Sequence, residues 1–314
     1  MLQRNRYHRT LGLVGIIAMV SLLSKQAVAS DDWSPEGFDY DRPIRLDIRD
    51  DPQELTNRVV GTRQQQVIFK DRAGDDVPVL ITLPGKGRGP FPVVVLVHGF
   101  SSHKQQVTRQ LGRALTDRGF ACLAPDMPYH GHRPGPPQKL FTTTQPSQAR
   151  DNIVQAIQDI RQTIDLAEAR RELRASKGVG LIGYSMGAWF GTLAGASERR
   201  IKAMVLMVGG SAAVDASKEP KTANQNDAEQ LDLFRRFVAI RPLEAIGEFA
   251  PRPLLMQNGK QDSLVPIDQA KALYDAARKP KEHRWYDASH LLNRKACQEA
   301  ADWLATQMNP KNKN

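Results

Sequence analysis

The run Phe91-Pro-Val-Val-Val-Leu-Val97 constrains this chain more than any other stretch. Apart from one proline it is wholly apolar, and valine dominates it. A β-branched run without polar alternation suits a strand covered on both faces, as in parallel sheets layered between helices. The theme repeats. Phe120–Ala124, Gly178–Gly183, Ile201–Val208 and Pro253–Asn258 read as further buried strands, and His283–Tyr286 as a last one. Helix-like segments fall between them, at Lys104–Arg118, Ser147–Ala175, Ala188–Gly195, Ile267–Arg278 and Leu292–Gln307. In the longest, Ile153, Ile157, Ile160, Ile164 and Leu166 lie near one helical face. Strand and helix in alternation predict an α/β chain, with a mostly parallel sheet and helices on both of its faces.

Two regions stand apart from that rhythm. Ahead of it, Val67–Phe69 and Val77–Thr82 flank the turn signal Ala73-Gly74-Asp75 and predict an antiparallel hairpin. Residues 30–60, rich in Asp, Arg and Pro, read as an irregular N-terminal arm to a domain over 61–310. Within the domain, residues 211–250 are long, polar and partly helical over Ala228–Ile240. They are expected to form a short lid insertion over one edge of the sheet. The loop Pro128–Pro146, rich in Pro, Gly and His, is a second candidate pocket wall.

The first thirty residues have their own layout. Arg4, Arg6 and Arg9 precede the apolar stretch Leu11–Leu23, and Ala27-Val28-Ala29 follows as an A-x-A site. This pattern predicts a secretory signal peptide cut after Ala29, and hence a secreted or periplasmic protein. The apolar stretch is shorter than the roughly 20 residues that span a bilayer, so no stable membrane insertion is expected after cleavage. The net charge of +10 falls to +6 without the four basic residues of this segment, Lys25 included. No basic block with interleaved aromatics points to nucleic acid. Two cysteines, Cys122 in an apolar strand and Cys297 in the last helix, read as buried free thiols, with a disulfide the alternative. No Cys/His grouping has metal-site spacing, so neither metal nor cofactor is implied.

In open parallel sheets ligands bind beyond the carboxyl ends of the strands. His98-Gly99-Phe100 follows Val97, and Pro125-Asp126-Met127-Pro128-Tyr129-His130 follows Ala124. Gly183-Tyr184-Ser185-Met186-Gly187, a G-x-S-x-G, follows the strand that ends near Ile182. Asp262 follows Asn258 in a G-x-x-D, and His290 follows Tyr286. A serine, a carboxylate and a histidine thus fall at strand ends in the order Ser, Asp, His.

On these motifs the chain, over about residues 62–308, resembles the α/β-hydrolases. More narrowly it resembles the dienelactone-hydrolase-like and prolyl-oligopeptidase-like serine esterases, which open with a hairpin and carry H-G-F after the third strand. The resemblance implies the α/β-hydrolase fold and a serine on a strained strand-to-helix turn. The residue chemistry agrees. Ser185 would be the nucleophile, because a hydroxyl with an adjacent base can attack a carbonyl. His290 would be that base, and Asp262 would fix its tautomer, with Asp287 as the competitor for the acid's place. The backbone N–H groups of Met186 and Phe100 would form the oxyanion hole. Tyr129, His130 and Tyr184 are substrate-pocket candidates. Trp189, His98 and Asp126 read as packing or bracing groups, and His103 and His283 as surface residues.

The expected activity is hydrolysis of small-molecule carboxylic esters through an acyl-enzyme. Peptide hydrolysis, thioester hydrolysis and acyl transfer use the same three residues and remain alternatives. The prolyl-oligopeptidase-like peptidases carry a large propeller ahead of the hydrolase, and this chain has too few residues there. A non-catalytic binding protein on the same fold is the alternative of a different class.

Overall fold

The computed structural model describes residues 35–40, 46–51, 55, 58–141, 146–211 and 242–308. The expected signal peptide and the expected helix Ala228–Ile240 lie outside them. Ten strands among the described residues form one sheet. They are β1 (Ile48–Asp50), β2 (Thr62–Lys70), β3 (Asp76–Pro84), β4 (Phe91–Val97) and β5 (Ala121–Pro125). β6 (Leu173–Arg174), β7 (Val179–Tyr184), β8 (Ile201–Met207), β9 (Leu254–Gly259) and β10 (Lys281–Tyr286) complete it. The order across the sheet is β1-β2-β3-β5-β4-β7-β8-β9-β10, with β6 beside the start of β4. β1, β2, β3 and β5 pair antiparallel in turn, and every pairing from β5 across to β10 is parallel.

The valine run behaves as its composition demands. Val93, Val95 and Val97 point into one apolar core, while Val94 and Leu96 point into the other. The first core lies under α2 (Pro146–Glu168), α3 (Met186–Ser197), α4 (Pro242–Gly247) and α5 (Ile267–Ala276). The second lies under α1 (Lys104–Thr116) and α6 (Arg294–Met308). α1 presents Val107, Leu111 and Leu115, a four-residue spacing that lays one stripe against the sheet. Cys122 and Cys297 are buried in this second core as free thiols, and burial raises the pKa of both, Cys297 to about 11.

Three expectations need correction. The arm is not wholly irregular: β1 adds a strand to β2, and Phe38 is buried in the first core. Arg161 on α2 donates to the Phe38 carbonyl and to Asp39, and the Tyr40 hydroxyl donates to Asp165 at 2.5 Å. With β1 counted, His98-Gly99-Phe100 follows the fourth strand. The long helix stops at Glu168, short of Ala175, because Leu173–Arg174 pairs with Phe91–Pro92 instead. Finally, the described end of the expected insertion belongs to the body. Ala245, Ile246 and Phe249 are buried in the first core.

Candidate active site

The turn after β7 is forced by what surrounds it. Ser185 has φ +55° and ψ −116°, a strained backbone for a residue with a side chain. A Cβ on Gly183 would lie 2.1 Å from the Gly187 carbonyl oxygen, and one on Gly187 2.1 Å from that of Val97. Only glycine fits at either position, so the chain can leave the strand and enter α3 at once. The Ser185 N–H donates to the Met207 carbonyl at 2.9 Å, which fixes the turn to β8. The serine hydroxyl is left half-buried at the carboxyl edge of the sheet.

Three of the sequence-predicted residues meet there. His290 Nε2 lies 2.9 Å from Ser185 Oγ, and His290 Nδ1 lies 2.9 Å from Asp262 Oδ2. The Asp262 side chain is fully buried, and its other oxygen accepts from the N–H groups of Leu264 and Val265 at 2.8 and 3.0 Å. Both carboxylate oxygens are therefore committed, which holds the acid in one rotamer. With Oδ2 an acceptor, Nδ1 carries the imidazole proton and Nε2 offers its lone pair to the serine. The competitor Asp287 is exposed and accepts from Gln261 Nε2 at 2.5 Å instead.

The expected oxyanion donors lie on both sides of the serine. Met186 is the first residue of α3, where the opening N–H groups have no partner within the helix and the dipole is positive. Phe100 follows Gly99, whose Cβ position is 3.3 Å from Ser185 Cβ. Among the described residues no acceptor engages the N–H of either Phe100 or Met186.

The loop that carries Phe100 is clamped at both ends. At its entrance His98 is fully buried, donating from Nδ1 to the Gly99 carbonyl at 2.8 Å and accepting the Met127 N–H on Nε2 at 3.0 Å. Burial, aided by His130 nearby, lowers its pKa to about 4, so the ring is neutral. At its exit Lys104 is 1% exposed and donates Nζ to Asp126 Oδ2 at 2.6 Å, and its own N–H to Oδ1 at 2.8 Å. The His132 N–H adds a third bond to that carboxylate at 3.0 Å. Burial alone would raise the Asp126 pKa, but the Lys104 charge and these bonds hold it below the usual range. Lys104 Nζ also donates to His132 Nδ1 at 2.9 Å.

The pocket candidates separate. Tyr129 is half-buried and donates its hydroxyl to Asn152 on α2 at 3.2 Å. His130 is 1% exposed and backs the Phe100 ring edge-on at 5.5 Å. Tyr184 is placed differently from the pocket wall expected of it. Its side chain faces the second core, and its hydroxyl donates to the His290 carbonyl at 2.8 Å while accepting the Leu292 N–H at 3.0 Å. It clasps the histidine loop from below. His103 and His283 are half-buried instead of superficial. His283 bonds Asn258 through Nε2 at 3.0 Å, between the rings of Tyr274 and Trp285.

Sequence reasoning did not find the Lys104–Asp126 pair or the Tyr184 clasp. The one signal for the pair was a lysine placed directly after His98-Gly99-Phe100-Ser101-Ser102-His103 and opening a helix.

The chain as a whole has many relatives. The esterase YjfP of Escherichia coli is 26% identical over 208 residues, covering 64% of this chain and 81% of that protein. A cold-adapted esterase from an Arctic intertidal metagenomic library superposes with a TM-score of 0.60 at 21% identity, over 80% of this chain and 96% of that one. Acetyl xylan esterase 1 from a Thermoanaerobacterium superposes with a TM-score of 0.68 at 16% identity, over 94% and 98% of the two chains. The family described as the alpha/beta hydrolase fold matches residues 92–291. That match takes in more than half of the chain and every strand from β5 to β10, and the chain belongs to the alpha/beta hydrolase fold family.

Proposed function

We propose that this protein is a serine carboxylesterase acting on small-molecule esters through an acyl-enzyme. The observation that carries the reading is the unbroken relay from Asp262 through His290 to Ser185, with both links at 2.9 Å. The names of its relatives, esterases among them, lend support.

In this reading Ser185 Oγ attacks the ester carbonyl carbon as His290 Nε2 takes its proton. Asp262 accepts the Nδ1–H throughout and stabilises the imidazolium. The carbonyl oxygen becomes an oxyanion and accepts the N–H groups of Met186 and Phe100. Collapse breaks the bond to the alcohol, and His290 returns the proton to the departing oxygen. A water then enters, gives a proton to His290, and releases the acid and Ser185. A thiol or amine leaving group would follow the same route, and an alcohol or amine acceptor could attack the acyl-enzyme in place of water, so thioester hydrolysis, peptide hydrolysis and acyl transfer are the rival outcomes. Export through the segment ending at Ala29 is part of the proposal and rests on its sequence pattern. So does the hydrolase domain over residues 61–310.

Hydrolysis of p-nitrophenyl acetate by wild type and Ser185→Ala tests the reading. A loss of about 10⁴-fold or more in kcat is expected. Equal rates would remove Ser185 from the mechanism, and an inert wild type would favour a binding protein.

A further inference from the structure

The four groups around the tetrahedral carbon have fixed destinations. One is Ser185 Oγ. The oxyanion turns to the Phe100 and Met186 N–H groups, and the leaving oxygen must face His290, which protonates it. The acyl substituent takes the remaining direction, away from His290. His290 is clasped by Tyr184 and Leu292, which belong to the core on one face of the sheet. The opposite side of the serine belongs to the other core, and it is lined with aromatic rings.

Those rings make a continuous wall. Phe100 lies 5.8 Å from Phe141, and Phe141 lies 6.1 Å from Trp189, between ring centroids. Such spacings are those of rings in contact, with no gap for a chain between them. Trp189 sits one helical turn beyond Ser185, and its N–H donates to the Ser185 carbonyl at 3.3 Å. A second layer backs the first. His130 lies behind Phe100 at 5.5 Å, and Phe190 lies 5.4 Å from Trp189 and 6.5 Å from Phe141. His130 and Phe190 are 1% and 0% exposed, so the wall has close-packed interior behind it and nowhere to yield.

We infer that Phe141 and Trp189, with Phe100, form the end wall of the acyl pocket and restrict the enzyme to esters of compact acids, from acetyl to about butyryl. This rests on the esterase reading above and names the acid half of its substrate. Phe141 and Trp189 are specificity-determining residues that touch the acyl group and take no part in proton transfer.

The test is a p-nitrophenyl ester series from acetate to dodecanoate, with the wild type, Phe141→Ala and Trp189→Ala. Rates are taken per active site, counted by stoichiometric fluorophosphonate labelling. Wild-type kcat/KM should be highest between acetate and butyrate. Each alanine variant should raise the octanoate-to-acetate ratio by about ten-fold, the discrimination expected when a few methylenes gain room. Phe141→Leu and Trp189→Phe should shift the ratio the same way by less, and they serve if an alanine variant does not fold. A series of acetates with different alcohols should keep its wild-type order in all variants. A wild-type preference for octanoate or longer overturns the wall, as does a ratio unmoved in every labelled variant. A wild type that hydrolyses no ester overturns the esterase reading and the wall with it.

Discussion

The two sides of Ser185 are held by different means. On the side of the proposed oxyanion donor Phe100, His98, Lys104 and Asp126 are 0%, 1% and 0% exposed, and they lock the loop through a charged pair and a neutral ring. On the histidine side, His290 rides a loop whose next residue, Leu291, is 74% exposed, and a single tyrosine hydroxyl clasps it from below. One bank is fixed by a buried ion pair and a buried ring, the other by the Asp262 carboxylate, two hydrogen bonds of the Tyr184 hydroxyl and packing. The difference suits the work proposed for each side. Oxyanion donors act without moving, and preorganisation is what makes them effective. In the proposed mechanism the histidine would exchange protons with serine, leaving group and water in turn, and would need an opening to solvent.

The largest expected effect falls on the buried pair. Asp126→Asn leaves the Lys104 ammonium in the interior without its counter-charge, and breaking such a pair costs about 3–5 kcal/mol. Urea denaturation should show that loss. The joint change Lys104→Met with Asp126→Leu should return most of it, because well-packed apolar groups commonly match a buried ion pair. If Asp126→Asn alone costs under about 1 kcal/mol, the pair behaves as a surface bridge and the contrast between the banks dissolves.

The neutral ring gives the next effect, and it depends on pH. His98 titrates near 4 in the native state, against about 6.5 in the unfolded chain. Between those values the unfolded chain holds a proton that the native one lacks. Stability is therefore whole above pH 6.5 and declines as pH falls toward 4, by about 3 kcal/mol for this group. His98→Gln keeps a donor and an acceptor but cannot titrate. Its loss between pH 7 and 4.5 should be smaller than that of the wild type by about 2–3 kcal/mol. Identical pH profiles would show that the wild-type ring is not the group that resists protonation.

The same contrast governs what could be read from the sequence. Ser185, Asp262 and His290 were legible because each follows a buried strand, and a parallel sheet delivers all its strand ends to one edge. Asp262 could be preferred over Asp287 on its strand, and the structure shows Asp287 bonded elsewhere. Lys104 was not legible. A lysine opening a helix reads as solvated, and its burial depends on a carboxylate 22 positions away. Tyr184 was misplaced for another reason. In a strand covered on both faces, every position looks apolar, so composition does not reveal which core a side chain enters. β1 escaped because Ile48-Arg49-Asp50 is too short and polar to carry a pattern, and only its pairing with β2 defines it.

Tyr184→Phe gives the smallest change in stability and the sharpest test of the histidine bank. The substitution keeps the ring in its core and removes only the hydroxyl. The Leu292 N–H loses its acceptor and the His290 carbonyl a donor, at a cost of about 1–2 kcal/mol. That is less than the roughly 3–5 kcal/mol expected for Asp126→Asn. Turnover should respond as well, because the freed loop carries the proposed base itself. A fall in kcat of up to about ten-fold with KM unchanged corresponds to roughly 1.4 kcal/mol of lost transition-state alignment. Parallel measurement of kcat, KM and the urea midpoint decides the matter. Should kcat stay at the wild-type value while the midpoint drops, the clasp serves the fold alone, and His290 would owe its position to Asp262 and the packing of Leu292.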